Sequence, residues 1–153
     1  MPFSDKLSLQ LQELEQLSTM AGDLSRRLAR ESEDHALVIA MGAVLHGFYS
    51  GAERIFRQIA TALDGGLPGG EHWHKALLAS MAEAAPSRSP VISATLHDQL
   101  RRYLAFRHAF LNTPPHRLQW ERLKPLADDL KPTGERTVSE VRRFVEEFTD
   151  RLD

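Results

Sequence analysis

Leu7, Leu11, Leu14, Leu17, Ala21, Leu24 and Leu28 recur at threes and fours with charges and glutamines between them, the mark of a helix with one apolar face. Ser4 is placed to cap it, and the pattern predicts that it runs to about Ser32. From Asp34 to Leu63 the helical period continues in a more apolar register, with Leu37, Met41, Val44, Phe48, Ile55, Phe56 and Ile59 on a shared side. That segment reads as the central, most buried helix. Gly42, Gly47 and Gly51 interrupt it at about 1 kcal/mol each relative to alanine. Their presence predicts that another helix or a partner approaches closely there, a kink being the simpler alternative.

Asp64-Gly65-Gly66-Leu67-Pro68-Gly69-Gly70 cannot continue a helix and predicts a loop. A short helix follows over about Glu71 to Glu83, then a second loop from Ala84 to Ser93 containing Pro86 and Pro90. Ser93 can cap a helix carrying Leu96, Leu100, Tyr103, Leu104, Phe106, Phe110 and Leu111, which Pro114-Pro115 closes. Trp120 to Leu130 predicts a further helix, and Pro132-Thr133-Gly134 is expected to break or bend it before Val138, Val141, Val145, Phe148 and Leu152 mark the last one. No stretch alternates with period two over a strand's length. The expectation is one all-α domain over residues 1–153, a bundle of five or six helices whose wide first and last apolar faces hint at a homodimer.

Charge narrows the partners. With 19 Lys and Arg against 21 Asp and Glu, the formal charge of -2 excludes a broadly basic nucleic-acid coat and leaves only a local patch. The absence of cysteine excludes disulfides, thiolate metal sites and a thiol nucleophile, and fits a cytoplasmic chain. The first residues lack a basic and then apolar leader, and the apolar run Ala36 to Leu45 falls short of the roughly 20 residues that span a bilayer, so no membrane association is expected. The glycine loop lacks the lysine and the preceding strand of a phosphate-binding loop, there is no dinucleotide fingerprint and no nucleophile elbow, and no cofactor is expected.

Chemistry concentrates in residues 101–112, where Arg101, Arg102, Arg107 and His108 stand on an otherwise apolar helical segment. Arginine offers phosphate a rigid fork of donors, and histidine is suited to proton transfer near neutrality. Cations and a histidine near a helix C-terminus are equally explained by its dipole and orphan carbonyls. His72-Trp73-His74 alternates two imidazoles that a helix would point apart, and His72, His74, His108 and His116 lie on different segments without a carboxylate cluster, so no zinc is expected. Tyr49, Glu53 and Arg57 follow at fours on the central helix; Glu53 reads as half of a structural ion pair or as a carboxylate orienting the basic residues of the 101–108 helix.

Four blocks together resemble the HepT-like branch of the HEPN superfamily: residues 48–56 (FYSGAERIF), 73–78 (WHKALL), 103–110 (YLAFRHAF) and 120–126 (WERLKPL). The resemblance implies a helical, dimeric HEPN domain and, in active members, metal-independent RNA cleavage in toxin–antitoxin systems beside a nucleotidyltransferase-like antitoxin. The family motif is an arginine followed after four to six residues by a histidine. Its best register places the arginine at Arg107 and the histidine at position 112, which here is Asn112. Where many members carry a modifiable tyrosine two positions later, this chain has Pro114. Looser registers pair His108 with Arg102, about 120° away around the helix, or with Arg101, on the same face but about 10 Å along it. Asparagine cannot take a proton from a ribose 2′-hydroxyl. The first register therefore implies phosphate grip without a base, and either a decayed member that binds RNA or a partner, or a very slow ribonuclease.

Overall fold

The computed structural model describes all 153 residues as six α-helices and no strand. Helix α1 spans Phe3–Arg30, α2 His35–Leu63, α3 Trp73–Met81, α4 Ala94–Leu111, α5 Trp120–Glu147 and α6 Thr149–Leu152, with a 3₁₀ turn at Pro115–Arg117. Three long helices, α1, α2 and α5, form the body of the bundle, and α2 packs against every other helix and the 3₁₀ turn. Its core side chains include Met41, Leu45, Phe48, Ile55, Phe56 and Ile59, all fully buried, because apolar residues occupy more than one side of its helical wheel. By length and composition α2 is apolar enough to cross a membrane, which the short run Ala36 to Leu45 alone did not indicate; half of that stretch is buried inside the fold. Asp34 caps α2 by accepting from the amides of Ala36 and Leu37, and Ser93 caps α4 by accepting from that of Leu96.

Two of the three glycines of α2 are explained within the chain, while at Gly47 a Cβ would meet Leu17 only at 3.7 Å. A Cβ on Gly51 would lie 2.8 Å from Leu14 of α1, and one on Gly42 would lie 3.0 Å from the Phe110 ring of α4. Both are close approaches, made to side chains of neighbouring helices rather than to a partner.

The expected break at Pro132-Thr133-Gly134 does not occur, since α5 runs unbroken past both Pro125 and Pro132. A proline inside a helix forfeits one backbone hydrogen bond. Packing holds the helix on either side: Leu130, Thr133, Thr137, Val138 and Val141 are buried, and the Thr137 hydroxyl donates to the Thr133 carbonyl at 2.8 Å. Gly134 is kept small by α1, because a Cβ there would sit 2.4 Å from the Ser18 hydroxyl oxygen. Helix α1 stops at Arg30, two residues before the expected Ser32.

Two polar ties fix the connections around α3 and α4. Arg88, whose side chain is 1 % exposed, forks onto Asp64 at the end of α2 with two 2.8 Å hydrogen bonds and also donates to the carbonyls of Ser80, Glu83 and Ser89. The Tyr103 hydroxyl donates to the Leu126 carbonyl at 2.7 Å, joining α4 to α5. Burial pushes the Tyr103 phenol up to about 12.

Candidate functional site: a cationic, imidazole-lined cleft

Helices α2, α3 and α4 meet at one polar point in an otherwise apolar interior. Glu53 sits on α2 among Phe56, Ala52 and Tyr49, with its side chain 6 % exposed. A carboxylate so placed requires partners. Arg107 of α4 supplies them as a fork, Nη2 donating to Oε2 at 2.9 Å and Nη1 to Oε1 at 3.3 Å, while its guanidinium lies 5.0 Å from the Tyr49 ring centroid. His74 of α3 completes the group with Nδ1 2.8 Å from Glu53 Oε2 and 3.0 Å from Arg107 Nη2. The Trp73 indole stacks on the His74 ring at 3.7 Å between centroids, and Arg57 lies 5.3 Å from that indole on its other partner helix, α2. Glu53 thus pairs with Arg107 of the 101–108 helix, an arrangement that fits either of the two roles its position in the sequence allowed.

This cluster opens onto a cleft of about 770 Å³. From α4 the cleft receives Arg101, Arg107 and His108; from α3 and its lead-in, Glu71, His72, His74 and Lys75; from α2, His46 and Ser50. Arg107 spends part of its fork on Glu53, whereas Arg101 and Lys75 take part in no ion pair. His46 Nδ1 is buried without a hydrogen-bond partner, and its ring lies against Phe110 with centroids 5.4 Å apart. Burial first, and the nearby Arg107 charge second, hold His46 below the usual histidine range. The Tyr49 hydroxyl is also buried and unpartnered, and desolvation, reinforced by Glu53, raises its ionisation above the ordinary tyrosine range.

Of the five residues singled out on the 101–112 segment, three face the cleft: Arg101, Arg107 and His108. Arg102 turns to the other side of α4 and pairs with Asp129 of α5 at 2.7 Å. The divergence of about 120° between Arg102 and His108 on an ideal helix accounts for that. Asn112 ends α4 as its C-cap, and its side-chain amide donates to the His108 carbonyl at 2.8 Å, away from the cleft. His116, in the 3₁₀ turn, borders a separate depression between α4 and α5. No three His, Asp or Glu side chains converge as metal ligands.

The sequence reading passed over His46 and Lys75 and did not join His74 to Glu53. A signal existed for the first, since His46, Tyr49, Ser50 and Glu53 recur at threes and fours and therefore share one face of α2. None existed for the others, because α3 reaches α2 only through a long loop.

The cleft thus gathers cations and imidazoles at one place on an all-α bundle. The four sequence blocks that carry the resemblance all contribute to this region or brace it: 48–56 holds Glu53, 73–78 holds His74, 103–110 holds Arg107, and 120–126 ends at the carbonyl that Tyr103 grips. A sequence profile described as HepT-like protein matches residues 40–151, and the chain belongs to that family. Comparison with curated proteins gives no match, and comparison with solved structures gives none.

Proposed function

We propose that this protein is a HEPN-type toxin whose cleft binds RNA and cleaves it without a metal ion, as a homodimer, in the cytoplasm and in a toxin–antitoxin pair with a nucleotidyltransferase-like antitoxin. The observation that carries the reading is the lining of the cleft. Arg101 and Lys75 stand without ion pairs beside Arg107 and four imidazoles, against one lining carboxylate, Glu71. In a chain of formal charge -2 that local excess of donors is what a phosphodiester requires. The pairing with an antitoxin rests on family membership. The dimer likewise rests on family membership, with Leu111, 68 % exposed at the edge of the cleft, as an apolar side chain that a second copy would cover.

A second reading is favoured by one position. Asn112 stands where the family motif has its histidine and is turned onto its own helix end, which supports a member that binds RNA or a partner without cleaving. Incubation of purified protein with bulk transfer RNA and with a mixed-sequence single-stranded oligoribonucleotide, with and without EDTA, separates the two. Cleavage that survives EDTA is the expected result. Binding without cleavage would leave the second reading, and neither would remove both.

A further inference from the structure

We infer that His74, held by Glu53, is the general base of this site in place of the histidine that position 112 lacks; the inference rests on the ribonuclease reading above. Three heavy atoms form a triangle: His74 Nδ1 to Glu53 Oε2 at 2.8 Å, Arg107 Nη2 to the same oxygen at 2.9 Å, and Nη2 to Nδ1 at 3.0 Å. Of the three, the carboxylate oxygen can only accept and the guanidinium nitrogen can only donate. If the imidazole lone pair were on Nδ1, it would face the anionic oxygen at 2.8 Å. With the shorter contact, to Glu53, taken as the hydrogen bond, Nδ1 carries the proton and donates to Oε2, Arg107 Nη2 lies beside Nδ1 without bonding it, and the lone pair is on Nε2.

Nε2 makes no hydrogen bond within the protein, and the His74 side chain is 39 % exposed on the cleft that also holds Arg107 and His108. An imidazole whose tautomer is set by a buried carboxylate, with its other nitrogen free on a cleft that also holds cations, is the arrangement general-base catalysis uses. A purely structural third partner for Glu53 would have no need to present Nε2 to solvent. Trp73 stacked at 3.7 Å fixes the plane of the ring. Asn112, by contrast, has neither a proton-accepting nitrogen nor a place in the cleft.

The step balances without a metal or redox partner. His74 Nε2 takes the proton of a ribose 2′-hydroxyl, and the 2′ oxygen bonds to the adjacent phosphorus. The bond from phosphorus to the 5′ oxygen breaks, that oxygen takes a proton from water, and the hydroxide so formed takes up the proton held on His74 Nε2, which returns the site to its starting state. Arg107, with the donors Glu53 does not use, stabilises the charge growing on the phosphoryl oxygens. The products are a 2′,3′-cyclic phosphate and a 5′-hydroxyl end.

The test compares wild type, His74→Ala, His74→Gln and His108→Ala in single-turnover cleavage of the mixed-sequence oligoribonucleotide, with binding of the same RNA and the melting temperature measured in parallel. His74→Ala and His74→Gln are expected to slow cleavage by about 10²–10⁴-fold with RNA affinity changed far less, while the melting temperature falls in His74→Ala, which takes a partner from buried Glu53, and falls less in His74→Gln, whose amide can donate to it. Added imidazole is expected to restore part of the rate to His74→Ala, which a merely structural role would not permit. If wild type cleaves and His74→Ala keeps its rate while His108→Ala loses it, the inference falls and the ribonuclease reading stands. If His74→Ala loses RNA affinity in step with its rate and imidazole restores nothing, His74 is a binding residue and the inference also falls. If wild type cleaves neither this oligonucleotide nor bulk transfer RNA, the ribonuclease reading fails and takes the inference with it.

Discussion

Replacing Glu53 with leucine should cost far more stability than replacing Arg107 with methionine, although each removes one half of the same ion pair. At 2.9 Å and an effective dielectric constant of 20 the pair's attraction is roughly 6 kcal/mol, set against several kcal/mol to bury each charge. The pair is therefore close to neutral overall, and the damage comes from leaving one charge behind. With Glu53 gone, Arg107, 11 % exposed, keeps the Tyr49 ring and the His74 Nδ1 at 3.0 Å, neither of which offers an opposite charge, and the expected loss is about 3–5 kcal/mol. With Arg107 gone, Glu53 still has His74 at 2.8 Å, and the loss should be roughly half as large. The double variant Glu53→Leu/Arg107→Met leaves no orphan charge and should lie within about 1.5 kcal/mol of wild type. Urea unfolding followed by far-UV circular dichroism measures all four corners of the cycle. For a chain of this size 1 kcal/mol moves the melting temperature by about 2–4 °C, so Glu53→Leu alone should melt about 6–20 °C below wild type. The reasoning is refuted if the double variant loses the sum of the two single losses, or if Arg107→Met costs more than Glu53→Leu.

Three further outcomes are expected. Light scattering at micromolar concentration should give twice the mass of the chain for wild type and a smaller particle for Leu111→Glu, because a charge replaces an exposed apolar contact; a wild-type monomer would contradict the dimer. Asn112→His should leave RNA cleavage within about threefold of wild type, since position 112 turns onto the end of α4; a gain of about 10²–10⁴-fold would put the base there instead of at His74. Acid should destabilise the fold through His46: its folded form resists protonation, so the unfolded chain takes up the proton first, and stability present above about pH 6.5 is lost as the pH falls below it. His46→Phe should flatten that part of the stability curve, and an unchanged curve would assign the acid sensitivity to another group.

How much of this was legible depends on the range of the interaction. Helix identities followed from spacing alone: Leu7 to Leu28 drew α1, and Ser93 drew a cap that the structure contains, whereas Ser4, expected to cap α1, lies inside the helix behind Pro2. Pro132 misled because a local rule, the missing amide, was outweighed by burial on both sides of it, which only the packed neighbours reveal. The same holds for the site. Arg101, Arg107 and His108 were visible within one helix, as was the turn of Arg102 to another face. The meeting of Glu53 with His74 across 21 residues and with Arg107 across 54 was not, since no periodicity encodes a contact between helices joined by a glycine loop.

Helix α3 has a consequence for how evenly the molecule holds together. It is nine residues long and follows a segment with four glycines, and three of its side chains, Leu77, Leu78 and Met81, reach the core. An isolated helix of that length is marginal in water, so its order depends on those three contacts, on the bond from Arg88 to the Ser80 carbonyl and on the hydrogen bond between His74 and Glu53. Amide protons of α2, at the hub, should exchange with solvent only when the whole chain unfolds, while those of α3 exchange through local opening at lower free energy. The two halves of the triangle therefore sit on parts of unequal rigidity: a fixed carboxylate and guanidinium, and an imidazole on a segment that can come and go. RNA that closes on His74 would be read out as slower exchange along α3, so that ordering one short helix and filling the cleft become a single equilibrium.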